Sequence, residues 1–199
     1  MAWISPPPKL PWWLRLGLWV TGRIAGKDLL PPRLLGWYPR AAFSSGILEA
    51  LITHHDGRMD DRILKLVRLT VSFTVGCPFC MDMNAVGWQD LISPEELAAL
   101  QGRVDLEDVA TFKIHERLAV RYARLISTTP LAFPDSFGEE LRSVFSEREI
   151  VILASTSAQV NYWARLIQAL GCPSAEFTDE NWSTVNIYLP YNPERPSME

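Results

Sequence analysis

The sequence predicts an all-α protein, and three observations carry that prediction. Ser93-Pro94-Glu95-Glu96 and Ser146-Glu147-Arg148-Glu149 both have the form of a capping box, in which serine and the glutamate three residues on bond each other's backbone amides at a helix start. Two long stretches, residues 109–127 and 149–170, place apolar residues at helical rather than alternating spacing. No two strand-like runs are joined by a recognisable hairpin turn.

The first thirty residues form a tryptophan-rich basic arm. It holds Trp3, Trp12, Trp13 and Trp19, with Lys9, Arg15, Arg23 and Lys27 against a single acid, Asp28. A helix over residues 11–27 would align Arg15, Arg23 and Lys27 on one stripe and Trp13, Leu16, Val20 and Ile24 on another face. That pattern suits an arm packed on a neighbouring subunit, which is the expectation here. It also suits peripheral membrane contact through residues 11–27. Arg15, Arg23 and the run Pro6-Pro7-Pro8 do not fit a signal peptide, and no apolar stretch approaches the roughly twenty residues of a membrane span.

After Pro31, Pro32 and Pro39, the residues Phe43, Ile47, Leu48, Leu51 and Ile52 give a helix over 40–53. Asp60 or Asp61 suits the start of the next. Residues 63–75 include Val67, Thr70, Val71, Phe73, Thr74 and Val75, which favour strands. Their length and helical neighbours nevertheless make this a helix. Gly76 then allows a turn, and Pro78 opens a helix expected to include residues 81–91. The helix over 109–127 ends at Thr128-Thr129-Pro130. Phe145 and Ile150 flank the second capping box as a hydrophobic staple. The last helix stops at Gly171, and the remainder reads as an extended strap. The expected organisation is an arm (1–33), a helical domain (34–173) and a strap (174–199).

At 199 residues the chain is long enough for one domain with a real core. A net charge of −4, with no basic cluster interleaved with aromatics, points away from nucleic acid. Three cysteines are too few for a disulfide scaffold, which makes a reducing cytoplasm the expected compartment.

Two of those cysteines form the pair Cys77-Pro78-Phe79-Cys80. A structural zinc site needs four ligands. The remaining candidates, Cys172, His54, His55 and His115, do not supply a second ligand pair at a usable spacing, so no metal is expected. The alternatives left are a redox centre and a pair of buried, reduced cysteines that only fill space. If Cys80 opens a helix, Asn84 and Trp88 follow along one face. Cys77 then lies at the helix N-terminus, where backbone amides and the dipole favour thiolate. Such a pair can reduce a peroxide through a sulfenic acid or exchange with another disulfide.

Residues 65–88, KLVRLTVSFTVGCPFCMDMNAVGW, resemble the carboxymuconolactone decarboxylase and alkylhydroperoxidase D-like family. There a helix of pattern E-L-x-x-L-x-V-A leads into C-x-x-C-x-x-x-H, and Leu66, Leu69, Val71, Cys77 and Cys80 fall in register with it. The resemblance continues through residues 115–126, with Val120-Arg121-Tyr122-Ala123, and through residues 137–171. It implies an all-helical fold that assembles into homo-oligomers. It also implies a peroxidatic Cys80, a resolving Cys77, an external thiol reductant and no cofactor. The lactone decarboxylases of the family lack the cysteine pair, so decarboxylation is not expected.

Two positions depart from the family pattern. The glutamate twelve residues before the first cysteine is Lys65, and the histidine four after the second is Asn84. An asparagine bonds but does not shuttle protons near neutral pH, so the family's relay is absent. Three groups are candidates for its place. Lys65 would stabilise a thiolate by charge if it stood beside the pair. Asp82 is an acid turned off the shared face. His115, with Glu116, is an acid–base pair. The expected function is a thiol-dependent oxidoreductase acting on a hydroperoxide or a disulfide. The rival is a member without catalysis that binds an apolar ligand or serves assembly.

Overall fold

The computed structural model describes residues 2–52, 59–179 and Trp182. His54 and His55 lie outside the described residues, as does the strap beyond Asp179 apart from Trp182. The described residues form nine α-helices and no strand. They are α1 Trp12–Ala25, α2 Leu30–Leu34, α3 Pro39–Ile52, α4 Asp61–Val75, α5 Pro78–Ala85, α6 Pro94–Leu100, α7 Ile114–Ser127, α8 Phe137–Val144 and α9 Glu147–Ala169. The all-α expectation holds.

Helix α4 organises the rest. The Asp60 carboxylate accepts from the Arg62 amide at 2.9 Å and so caps its start. Gly76 ends it in the left-handed region, at φ +71°, where a side chain would strain the backbone. Leu66, Val67, Leu69 and Val71 are wholly buried, because α4 packs against α7 and α9 on one side and α5 and α6 on the other. Burial on several faces explains why its sequence is rich in β-branched residues. One core cluster joins α4 to α7, α8 and α9 through Val67, Leu118, Phe137 and Leu153. A second joins α4 to α5 and α6 through Leu69, Phe73, Met81 and Leu97. A third surrounds the cysteine pair with Leu34, Ala164, Ile167 and Cys172.

Both serine capping boxes are formed, and Phe145 and Ile150 share one core cluster as a staple requires. Three boundaries differ from the expectation. Residues 109–113 are not helical. Val109 and Phe112 are buried loop residues, held from the next helix by Arg117, which donates to the carbonyls of Glu107, Val109 and Phe112. The helix after Pro78 stops at Ala85, because Gly87 turns the chain at φ +66° into a short 3-10 turn, Trp88–Asp90. Helix α1 ends at Ala25, so Lys27 leaves the predicted basic stripe. Its ammonium instead donates to the carbonyls of Ala175 (2.8 Å) and Glu176.

The N-terminal arm and the segment that follows α9 are thereby brought together. The Trp3 amide donates to the Leu170 carbonyl at 3.1 Å, and Gly171, at φ +64°, has no room for a Cβ beside the Trp3 ring. Helix α1 packs on α3 through an edge-on contact of Trp13 with Phe43. Trp12 and Ile24 of this helix remain 77% and 84% exposed. No described helix is long and apolar enough to cross a membrane.

Candidate active site around Cys77 and Cys80

The cysteine pair is placed by the turn that Gly76 permits. Cys77 becomes the N-cap of α5 and Pro78 its first residue, where a missing amide costs nothing. The Cys77 Sγ accepts from the Cys80 amide at 3.3 Å, and the two sulfurs are 2.6 Å apart. Both cysteines are reduced and buried, at 0% and 1% exposure.

The two thiols differ electrostatically. The Cys77 thiol is held below the ordinary thiol range, first by its hydrogen bond with Cys80 and then, against the opposing effect of burial, by the amides of Cys80 and Phe79. The Cys80 thiol is pushed well up by the same hydrogen bond, by burial and by the negative charge on Cys77. The pair therefore holds its first negative charge on Cys77, with the remaining proton on Cys80. A thiolate titration by ultraviolet absorbance is expected to show one ionisation below that of a free thiol. Cys80→Ala, which removes the strongest contributor, should move it upward, whereas Cys80→Ser, which keeps a donor, should not. An unchanged midpoint in the alanine variant would contradict this account.

Cys80 faces a cleft of about 350 Å³. Ile24 of α1, Met83 and Asn84 of α5, Val160 and Trp163 of α9, Phe177 of the strap and Val86 supply much of its wall. Charge enters it from Arg68 of α4 and Glu49 of α3. Glu49 Oε2 accepts from Gln159 Nε2 at 2.7 Å and from Trp163 Nε1 at 2.8 Å, which fixes α3 to α9 across the cleft. Asn84 Nδ2 donates to Ser72 Oγ at 3.0 Å, and Ser72 in turn donates to the Arg68 carbonyl.

Asn84 therefore lines the cleft with Cys80, as its spacing implies. Lys65 does not line it. Its ammonium donates to the Val86 carbonyl at 2.6 Å. Burial, followed by the charge of Arg68, lowers its pKa. His115 is in the first turn of α7, outside the cleft lining. Its neighbour Glu116 is wholly buried and accepts from Arg62 Nε at 2.8 Å. Arg68 and Glu49 are the residues the spacing argument missed. Each had a signal: Arg68 is the sole charge in residues 66–75, and Glu49 the sole acid in residues 39–52.

Asp82 is not among the cleft-lining residues and fastens the strap. Its carboxylate accepts from the Ser174 hydroxyl and the Phe177 amide, both at 2.8 Å, and from the amide and hydroxyl of Thr178, at 2.8 and 3.0 Å. Burial alone would raise its pKa, but these four donors hold it below the usual carboxylate range. Stability from this group is thus present above the ordinary aspartate pKa and lost as pH falls through its lowered value. Asp82→Ala should free residues 174–179, costing about 2 kcal/mol locally. Faster amide exchange there, with α4 unaffected, is the expected readout; unchanged exchange would contradict it.

Comparison with solved structures decides the fold. An uncharacterized peroxidase-related protein from Silicibacter sp. TM1040 superposes with a TM-score of 0.73, at 17% identity, over 90% of this chain and 95% of that one. A peroxidase-related protein from Ralstonia eutropha JMP134, described as an alkylhydroperoxidase AhpD core, gives 0.69 at 16% identity, over 88% and 94%. The chain has the alkylhydroperoxidase D-like fold. The same fold is seen in the debrominase Bmp8, solved with 2,3,4-tribromopyrrole, at a TM-score of 0.69 and 17% identity over 85% of this chain and 90% of that one. A curated relative, the uncharacterized protein YnjA of Escherichia coli (strain K12), is 25% identical over 172 residues, 86% of this chain and 93% of its own. No family model matches the chain.

Proposed function

We propose that the protein is a thiol peroxidase in which Cys80 attacks a hydroperoxide and Cys77 first serves as its base and then resolves it. The observation that carries this reading is the pairing of Cys80, which faces the cleft, with an adjacent Cys77 whose thiol is held below the ordinary thiol range. Cys77 takes the place of the missing histidine.

The step balances as follows. The Cys77 thiolate accepts the Cys80 proton as the Cys80 sulfur attacks the outer oxygen of ROOH. The O–O bond breaks, Cys80 becomes a sulfenic acid, and the departing RO⁻ takes the proton back from Cys77 as ROH. The Cys77 thiolate then attacks the Cys80 sulfur and expels hydroxide, which becomes water by taking a proton from the buffer, leaving a Cys77–Cys80 disulfide. A dithiol small enough to enter the cleft reduces that disulfide by exchange at Cys80. Burial of both sulfurs and the size of the cleft favour a small peroxide over the disulfide of a partner protein, which would need an exposed sulfur to attack.

Titration of the reduced protein with hydroperoxide, followed by intact mass, tests the reading. Rapid, stoichiometric loss of two hydrogens, mapped to Cys77 and Cys80, is expected. Oxidation no faster than that of a free thiol would overturn it and favour a ligand-binding module instead.

A further inference from the structure

We propose that Arg68 is a substrate-binding residue whose Nη2 takes an oxygen of the substrate and favours a compact, neutral organic hydroperoxide, an inference that rests on the peroxidase reading above. Arg68 lines the same cleft as Cys80. Its Nη2 is fully buried and has no hydrogen-bond partner among the described residues. A guanidinium does not shed its proton to escape that position, so a buried, unpaired donor remains costly until an acceptor arrives. Helix α4 presents this donor one turn before Ser72, whose hydroxyl accepts from Asn84 on the cysteine helix. The donor and the reactive sulfur are thus carried by two helices fastened to each other.

The rest of the lining selects what brings the acceptor. Ile24, Met83, Val86 and Val160 offer an apolar surface, and the ring of Trp163 is fixed by its bond to Glu49. Burial lowers the Arg68 pKa, against the opposing charges of Glu49 and Asp61; with the Glu49 carboxylate in the same cleft lining, a second anion is disfavoured and a neutral ligand suits the site. At about 350 Å³ the cleft is at the small end of the roughly 300–1,000 Å³ range of ligand sites. A short alkyl or aryl hydroperoxide fits this description, and a long lipid hydroperoxide does not. With the outer oxygen at Cys80, Arg68 holds the inner oxygen and stabilises the alkoxide until Cys77 returns the proton.

The test separates binding from turnover. Cys80→Ser protein is titrated calorimetrically with 2-phenyl-2-propanol, the alcohol that reduction of cumene hydroperoxide would release. Saturable binding is expected, weakened about tenfold or more by adding Arg68→Met, as loss of a charge-assisted hydrogen bond implies. Arg68→Lys should recover part of it. The melting temperature of Arg68→Met should be unchanged or higher, since an unsatisfied buried donor has been removed; a large drop would mark Arg68 as structural and overturn the proposal. Absence of binding, or binding indifferent to Arg68, would overturn it as well. Arg68-dependent binding by a protein that fails to reduce hydroperoxides would sustain this site while sinking the peroxidase reading.

Discussion

Cys80→Ser is expected to abolish peroxide-driven disulfide formation and to reduce hydroperoxide consumption to that of buffer. The serine hydroxyl keeps the hydrogen bond to Cys77 but has no sulfur to oxidise, and Cys77 itself is wholly buried. Cys77→Ser should behave differently. Cys80 still faces the cleft, but it has lost both its base and its resolving partner. Oxidation should therefore be slow and should stop at a sulfenic acid, detectable by dimedone labelling and mass spectrometry. The contrast matters more than either result alone. A module that only binds ligands would show no difference between the two variants. Retained turnover in Cys80→Ser would exclude Cys80 as the nucleophile.

The largest expected effect on stability comes from Arg62. It donates to Glu96 of α6 at 2.6 Å and Glu116 of α7 at 2.8 Å, and also to the Leu91 carbonyl, tying α4 to both helices. Each carboxylate has a second duty. Glu96 accepts from the Ser93 amide and the Thr111 hydroxyl, and Glu116 from the Lys113 amide. Arg62→Met leaves two buried carboxylates facing each other without a cation. A loss of about 3–5 kcal/mol is expected, lowering the melting temperature by on the order of 10 °C. Urea denaturation measures it. Adding Glu96→Gln and Glu116→Gln should restore part of the loss, because neutral amides remove the repulsion. A loss below about 1 kcal/mol would show that the network carries little of the fold.

Much of this was legible in the chain. The capping serines, the Gly76 turn and the Cys77–Cys80 spacing act locally, so their consequences follow from nearest neighbours along the sequence. The cleft did not follow, because its walls come from α1, α3, α4, α5, α9 and the strap. Lys65 illustrates the difficulty. Register with a family pattern pointed to that position, yet the α4 charge that reaches the cleft is three residues later, at Arg68. Periodicity alone does not say which side of a helix buried on several faces looks into a cavity. Asp82 lies outside the cleft lining. That it anchors a segment more than ninety residues later could not be seen, since long-range hydrogen bonds leave no local trace. Val109 and Phe112 show the converse error, apolar residues that are buried without being helical.

The strap also sets an order of events during synthesis. Cys77 and Cys80 leave the ribosome long before Phe177 and the donors that hold Asp82. Until that segment has been made, the wall it supplies is missing and the pair is open to whatever oxidants the nascent chain meets. The screened, substrate-sized cleft is a property of the finished chain, so premature oxidation is a hazard of translation rather than of the mature protein.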